Sequence, residues 1–251
     1  MSQSKLSSKA QCLVERTVLL TYGMAAVEDY SMARLSWEKQ SYRSFGWNAG
    51  QCTEKLLKAC LLINGKNAKF GHPKIGEYKE FIEQESCLIG GKLHLPKNLC
   101  ELDDEPYDED LETFVERLIK LGQTNLRYLE VSYEFDTYDL HKFDELVFRL
   151  SRCLIPLDSR WRNFLKENPG HVHSEFSQLV DLEHQHMFYK NNYSFNPHST
   201  DNKPQLAVGF GRDGLQELNR CYKERTFEGM EAYKFLSESS KLLPKNKLPS
   251  A

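Results

Sequence analysis

No apolar run in this sequence approaches the roughly 18 residues that a membrane-spanning helix needs, so no membrane span is expected. A large excess of charge of one sign is also lacking. The formal net charge is −3, which gives no global reason to expect nucleic acid and leaves only a local basic face to do so. Cysteine pairs of the Cys-x-x-Cys kind are absent. The seven cysteines, at positions 12, 52, 60, 87, 100, 153 and 221, are odd in number, and several fall on apolar helical stripes. They read as reduced core residues of a cytoplasmic protein and not as a disulfide framework. The opening MSQSKLSSKAQ lacks the apolar centre of a signal peptide. No internal repeat is found, and through residue 155 no run alternates convincingly between apolar and polar as a half-buried strand does.

What is present is helical period. With 251 residues, 40% of them hydrophobic and 27% charged, the chain can bury a substantial core. The segment around which the rest is organised runs from Trp47 to Gly65, WNAGQCTEKLLKACLLING. Ala49, Cys52, Leu56, Ala59 and Ile63 recur at helical spacing, Leu57 and Leu61 widen the stripe, and Glu54 pairs with Lys58 on the opposite face. The small residues Ala49, Gly50, Cys52, Ala59 and Cys60 let a second helix approach closely, and Asn64 with Gly65 supplies a stop. Before this segment, residues 9–29 read as a first helix. Ser31 reads as the N-cap of a second, long helix running through Tyr42 and Phe45 into the central stretch, with bends at Gly46 and Gly50.

After it come a short helix in KIGEYKEFIEQ, a helix from Leu111 to Ile119, and one capped by Asp139 and ended by Pro156. Beyond Pro156, Asp158 or Ser159 caps RWRNFLKE and Ser174 caps EFSQLVDLEHQHMF. Residues 190–212 are turn-rich, and a last helix leads into a disordered tail. The expected fold is all-α, a helical bundle over residues 1–155 with a helical extension over 156–251. Between Glu101 and Asp110, seven of ten residues are acidic. The plain reading is a surface loop that also brings negative charge to the N-terminus of the next helix. The alternative is docking of a basic partner through Asp103, Asp104, Asp108 and Asp110.

Gln51 to Leu62, QCTEKLLKACLL, resembles the Q-A-A-E-K-x-L-K-A-L-L-L helix of the HEPN superfamily, the higher eukaryotic and prokaryotic nucleotide-binding domains. His72 ahead of KIGEYKEFIE resembles that family's His-containing loop, and Arg127-Tyr128 ahead of the helix at 139–154 resembles its Arg-Tyr pair. The resemblance covers residues 30–155 and implies a HEPN-like bundle. It also implies dimerisation through bundle helices, binding of RNA or a nucleotide, and pairing with a partner protein, often in defence or toxin–antitoxin systems. Many members are metal-independent ribonucleases whose signature is an Arg, four to six residues and then a His on the last bundle helix. No histidine here has an arginine five to seven positions before it. The function expected is therefore non-catalytic binding or regulation. The enzymatic alternative is a divergent ribonuclease in which Arg149 or Arg152 meets the phosphate charge and His141, or a histidine of the 171–186 cluster, moves the proton. The second alternative is a protein-docking inhibitor subunit.

Three further constellations carry chemistry of their own. His171, His173, His184 and His186, with Glu183, are the densest set of potential metal ligands. Side chains two apart on a helix point about 200° apart, so a polar surface patch is the plainer reading. GFGRDG, from Gly209 to Gly214, has the letters of a phosphate-cradling loop, with Arg212 inside it. No strand is available after the next helix, so a tight helix entry is the plainer reading there. The run RWRNFLK carries Arg160, Arg162 and Lys166 between Trp161 and Phe164, as nucleic-acid surfaces do and as amphipathic packing helices also do. With Arg127 and Arg212, these are the candidate phosphate or nucleic-acid contacts. No cofactor and no metal are expected.

Overall fold

The structure, a computed structural model, describes residues 7–68, 75–93, 109–123, 135–136, 138–169, 192, 194–195 and 235. Over these residues the fold is all-α apart from one pair of two-residue strands. Helix α1 (Ser8–Val18) opens on Ser7, whose hydroxyl accepts the Ala10 N–H at 3.3 Å. It passes without a break through a π-helical turn, Leu19–Gly23, into α2 (Met24–Glu38).

The helix boundary expected near residue 30 therefore does not exist. Ser31 is buried in mid-helix at 2% exposure, and the chain turns at residues 39–41, where Gln40 adopts φ 55°. The π-helical turn takes up Gly23, and no proline or glycine follows it before Gln40 to end the helix. Helix α3 (Tyr42–Ile63) then folds back along α2 as one continuous helix, so Gly46 and Gly50 lie inside it. Asn64 closes it. The Asn64 amide donates to the Cys60 and Cys153 carbonyls, and its oxygen accepts from the Leu157 N–H at 2.8 Å, tying the end of α3 to the chain after the bundle.

Helix α4 (Ile75–Gln84) and the single turn α5 (Ser86–Ile89) lead to β1 (Lys92–Leu93), which pairs antiparallel with β2 (Glu109–Asp110). Asp110 then caps α6 (Leu111–Leu121), its carboxylate accepting the Thr113 N–H at 3.2 Å. Helix α7 (Asp139–Ser151) starts with Tyr138 in the cap position. Asp139, expected to be the cap, accepts the Asp136 N–H outside the helix and pairs with Arg117. The last described helix is α8 (Ser159–Glu167), capped by Asp158 through the Trp161 N–H at 2.8 Å.

Helix α6 crosses α3 at Gly50. A Cβ added there would meet the Gly122 Cα and N at 2.5 Å, with the Leu118 carbonyl closer still. Gln51 seals the crossing by donating to the Gly122 carbonyl at 2.7 Å. The core is filled by Leu56, Leu57, Phe114, Leu118, Leu146 and Leu150, all fully buried, and by a group of tilted and edge-on rings that includes Tyr30, Phe45 and Phe143. Leu165 of α8 is part of that same core, and Phe195 and Phe235 pack against it. Among the described residues no helix is long and apolar enough to cross a membrane. Five cysteines are described, all free: Cys52, Cys60 and Cys153 are buried, Cys12 and Cys87 exposed. Burial pushes the Cys52 and Cys60 thiols up, and Cys153 up to about 12.

Candidate functional site

Three arginines marked by the sequence, Arg149, Arg152 and Arg162, converge where α5, α7 and α8 meet. Arg149 Nη1 donates to the Ile89 and Lys92 carbonyls, both at 2.7 Å, while Nη2 pairs with Glu145 one turn earlier on α7. Gly90 makes room for it: the backbone there has φ 77°, and a Cβ would stand 2.7 Å from Arg149 Nη1. Arg162 forks onto Glu85, Nε at 2.9 Å and Nη2 at 2.7 Å. Arg152, at the end of α7, is 6% exposed. Its Nη1 donates to the Leu88 carbonyl at 3.4 Å, its Nη2 to the Leu165 carbonyl, and its Nε has no hydrogen-bond partner among the described residues. Burial lowers the Arg152 pKa from its ordinary value, and Arg149 adds to that against an opposing pull from Cys153.

His141 belongs to a different constellation. It lies eight residues before Arg149, about 12 Å along the helix axis, and the charges that act on it include those of Asp144 and Arg34. Asp144 pairs with Arg34 and accepts from the Tyr30 hydroxyl at 2.6 Å, and Asn192 donates to that hydroxyl at 2.7 Å. Tyr30 and Asn192 are fully buried, Arg34 and Asp144 nearly so. Burial opposes the Arg34 charge, but Asp144 and Tyr30 together outweigh this and hold its pKa above the ordinary value. Burial lowers the His141 pKa, and Arg34 adds to that against Asp144. The sequence reading missed Tyr30, Arg34 and Asp144. Two signals marked them: Tyr30 and Arg34 stand four apart on one helix face, and Asp144 interrupts the apolar stripe of Phe143, Leu146 and Val147.

A third group is structural in character. Arg117 binds Asp139 through both terminal nitrogens, at 2.8 and 2.7 Å, and Glu109 at 3.0 Å, while Lys142 reaches Glu109 at 2.8 Å and Asp136 at 2.7 Å. It joins β2, α6 and α7.

On α8 the basic and aromatic run is split between faces. Trp161 and Phe164 are each 37% exposed, their rings edge-on at 5.6 Å, with exposed Arg160 one turn before Phe164. Arg162 turns toward α5 and Glu85. Lys166 lies about 160° round the helix from Phe164. The candidates Arg127, Arg212, His171, His173, His184, His186, Asp103, Asp104 and Asp108 lie outside the described residues, as do His72 and Tyr128. Among the described residues no group of three or more His, Cys, Asp or Glu is placed to hold a metal ion. No protein-family model, curated protein or solved structure matches the chain.

Proposed function

We propose that this protein is a non-catalytic binding or regulatory module with a HEPN-like bundle, and that the ligand it holds is single-stranded RNA, met by α8. The observation that carries the reading is the exposed Trp161–Phe164 pair with Arg160 beside it, on a helix whose only buried residue is Leu165. Exposed rings next to a guanidinium give bases a stacking platform and a phosphate a charge. The non-catalytic part rests on where the reactive groups are spent. Arg149, Arg152 and Arg162 donate to main-chain carbonyls and carboxylates inside the fold, and His141 faces Asp144 and Arg34. A homodimeric state and a role in defence belong to the same reading and rest on the resemblance of the α3 segment, while a cytoplasmic location rests on the reading of the cysteines as reduced core residues.

Fluorescence anisotropy with a short labelled RNA tests it. Trp161→Ala should weaken binding about tenfold, the scale of one lost base stack, and Arg160→Glu should weaken it further at low salt. RNA binding unchanged in Trp161→Ala would remove α8 as the contact. RNA cleavage by the purified protein in EDTA would overturn the non-catalytic assignment, and sedimentation velocity decides the dimer.

A further inference from the structure

We propose that Cys87 is a redox-modification site with Cys153 as its resolving partner. A low-molecular-weight disulfide of the glutathione type oxidises the exposed thiol, and the buried one then closes an internal disulfide with it. The site makes no use of the α8 face and stands whether or not that face binds RNA. Cys87 is exposed on α5, and Cys153, just beyond the end of α7, is fully buried. Helix α5 is a single turn clamped on both sides of Cys87. The Glu85 carboxylate accepts from Arg162 at 2.7 Å, the Leu88 carbonyl from Arg152 at 3.4 Å and the Ile89 carbonyl from Arg149 at 2.7 Å. The second of these joins the residue after Cys87 to the residue before Cys153.

Cys153 is held as well. Its N–H donates to the Leu150 carbonyl at 2.9 Å, and its own carbonyl accepts from the Asn64 amide at 3.2 Å. Neighbouring, anchored pieces of backbone thus present the two thiols, and Cys87 is among the groups whose charge acts on Cys153. Burial divides the labour between them, because a solute oxidant meets Cys87 and not Cys153. Cys60 shares the Leu150 carbonyl with Cys153 but is itself fully buried, so oxidation cannot begin there either. In the first step Cys87 gives up its proton and its sulfur attacks the small disulfide. A mixed disulfide forms, and one small thiol leaves with that proton. In the second step the Cys153 sulfur attacks that of Cys87, and the second small thiol leaves with the Cys153 proton. Two protein thiols are oxidised and one small disulfide is reduced to two thiols. Burial pushes the Cys153 thiol up to about 12, so the second step is the slower one. An exposed thiol poised next to a resolving thiol is the arrangement of reversible redox sensors.

The test exposes the reduced, full-length protein to glutathione disulfide without denaturant. Samples are quenched in acid over time, alkylated, digested without reduction and mapped by mass spectrometry. The wild type should carry glutathione on Cys87 first and then convert to a species lighter by two hydrogens than the reduced chain, with Cys87 and Cys153 in one linked peptide pair. Dithiothreitol should return both thiols. Cys153→Ala should stall at the mixed disulfide on Cys87, Cys87→Ser should lose the internal disulfide, and Cys60→Ala should give the same product as wild type. A wild type that stays at the mixed disulfide overturns the site, as does an internal disulfide that maps to any other pair of the seven cysteines. So does a Cys87→Ser variant whose Cys153 is oxidised as fast as that of wild type. The mapping on wild type decides the matter even where a core variant fails to fold.

Discussion

Asp144 holds two partners where water does not reach, Arg34 and the Tyr30 hydroxyl. Replacing it with Ala removes the carboxylate that meets the buried Arg34 charge, and the expected loss is about 3–5 kcal/mol. Tyr30→Phe removes the hydrogen bond donated to Asp144 and the one accepted from Asn192, so its loss should be about 1–3 kcal/mol. Urea unfolding with an unchanged m-value checks both. Close by, His141 gives the molecule a pH dependence of known sign. Its pKa is lowered from 6.5 in the folded state, first by burial and then by Arg34 against Asp144. The unfolded chain thus takes up a proton that the folded chain refuses as pH falls below 6.5. Stability declines through that range, and the loss is complete below the folded pKa. His141→Gln should flatten the decline in unfolding midpoints measured at neutral pH and about one unit below 6.5. An unaltered slope would place the titrating group elsewhere. At this scale the sequence set His141 beside Arg149 or Arg152, whereas the fold brings Asp144 and Arg34 to bear on it, because partners from α2 are more than a hundred positions away and leave no local mark.

Between helices, the small residues of α3 were legible and their partner was not. Gly50 reads in sequence as a place for close approach. What approaches is Gly122, which reads only as the end of α6, and the two backbones touch with no room for a methyl group. Gly50→Ala should push α6 off α3 and strain the Gln51 hydrogen bond to Gly122. The expected cost is about 1–3 kcal/mol, the usual penalty for overfilling a packed contact. Gly76→Ala, in α4 with nothing within 4 Å of the added Cβ, is the control, and loss of thermal stability in the first variant alone is the expected outcome. Capping was harder to place than packing. Ser31 has the chemistry of an N-cap and sits inside a helix, and Asp139 has the same chemistry and is drawn away by Arg117. A side chain that can satisfy a helix end can equally satisfy a guanidinium, and only the fold decides which is nearer.

The chain after Pro156 is where the sequence spoke least, since a helix stop and a linker look alike in it. The described contacts join that region to the bundle at several points. Arg162 reaches Glu85, Leu165 enters the core, and Asn192 and Phe195 close over Tyr30, with Phe195 edge-on to Phe148 at 5.3 Å. If these contacts make one cooperative unit, mutations on the two sides of the Tyr30–Asn192 hydrogen bond must be coupled. A double-mutant cycle of Tyr30→Phe and Asn192→Ala, read by thermal or urea unfolding, should give an interaction energy of about 0.5–3 kcal/mol with a single transition. Strict additivity, or a second transition belonging to the extension, would mean that residues 156–251 fold on their own and merely rest on the bundle. The same experiment bears on His141, because Asn192 binds Tyr30 of the group whose Asp144 and Arg34 act on His141. Loosening Asn192 should admit water to that group, ease the burial that lowers the His141 pKa, and so weaken the acid sensitivity of the whole fold.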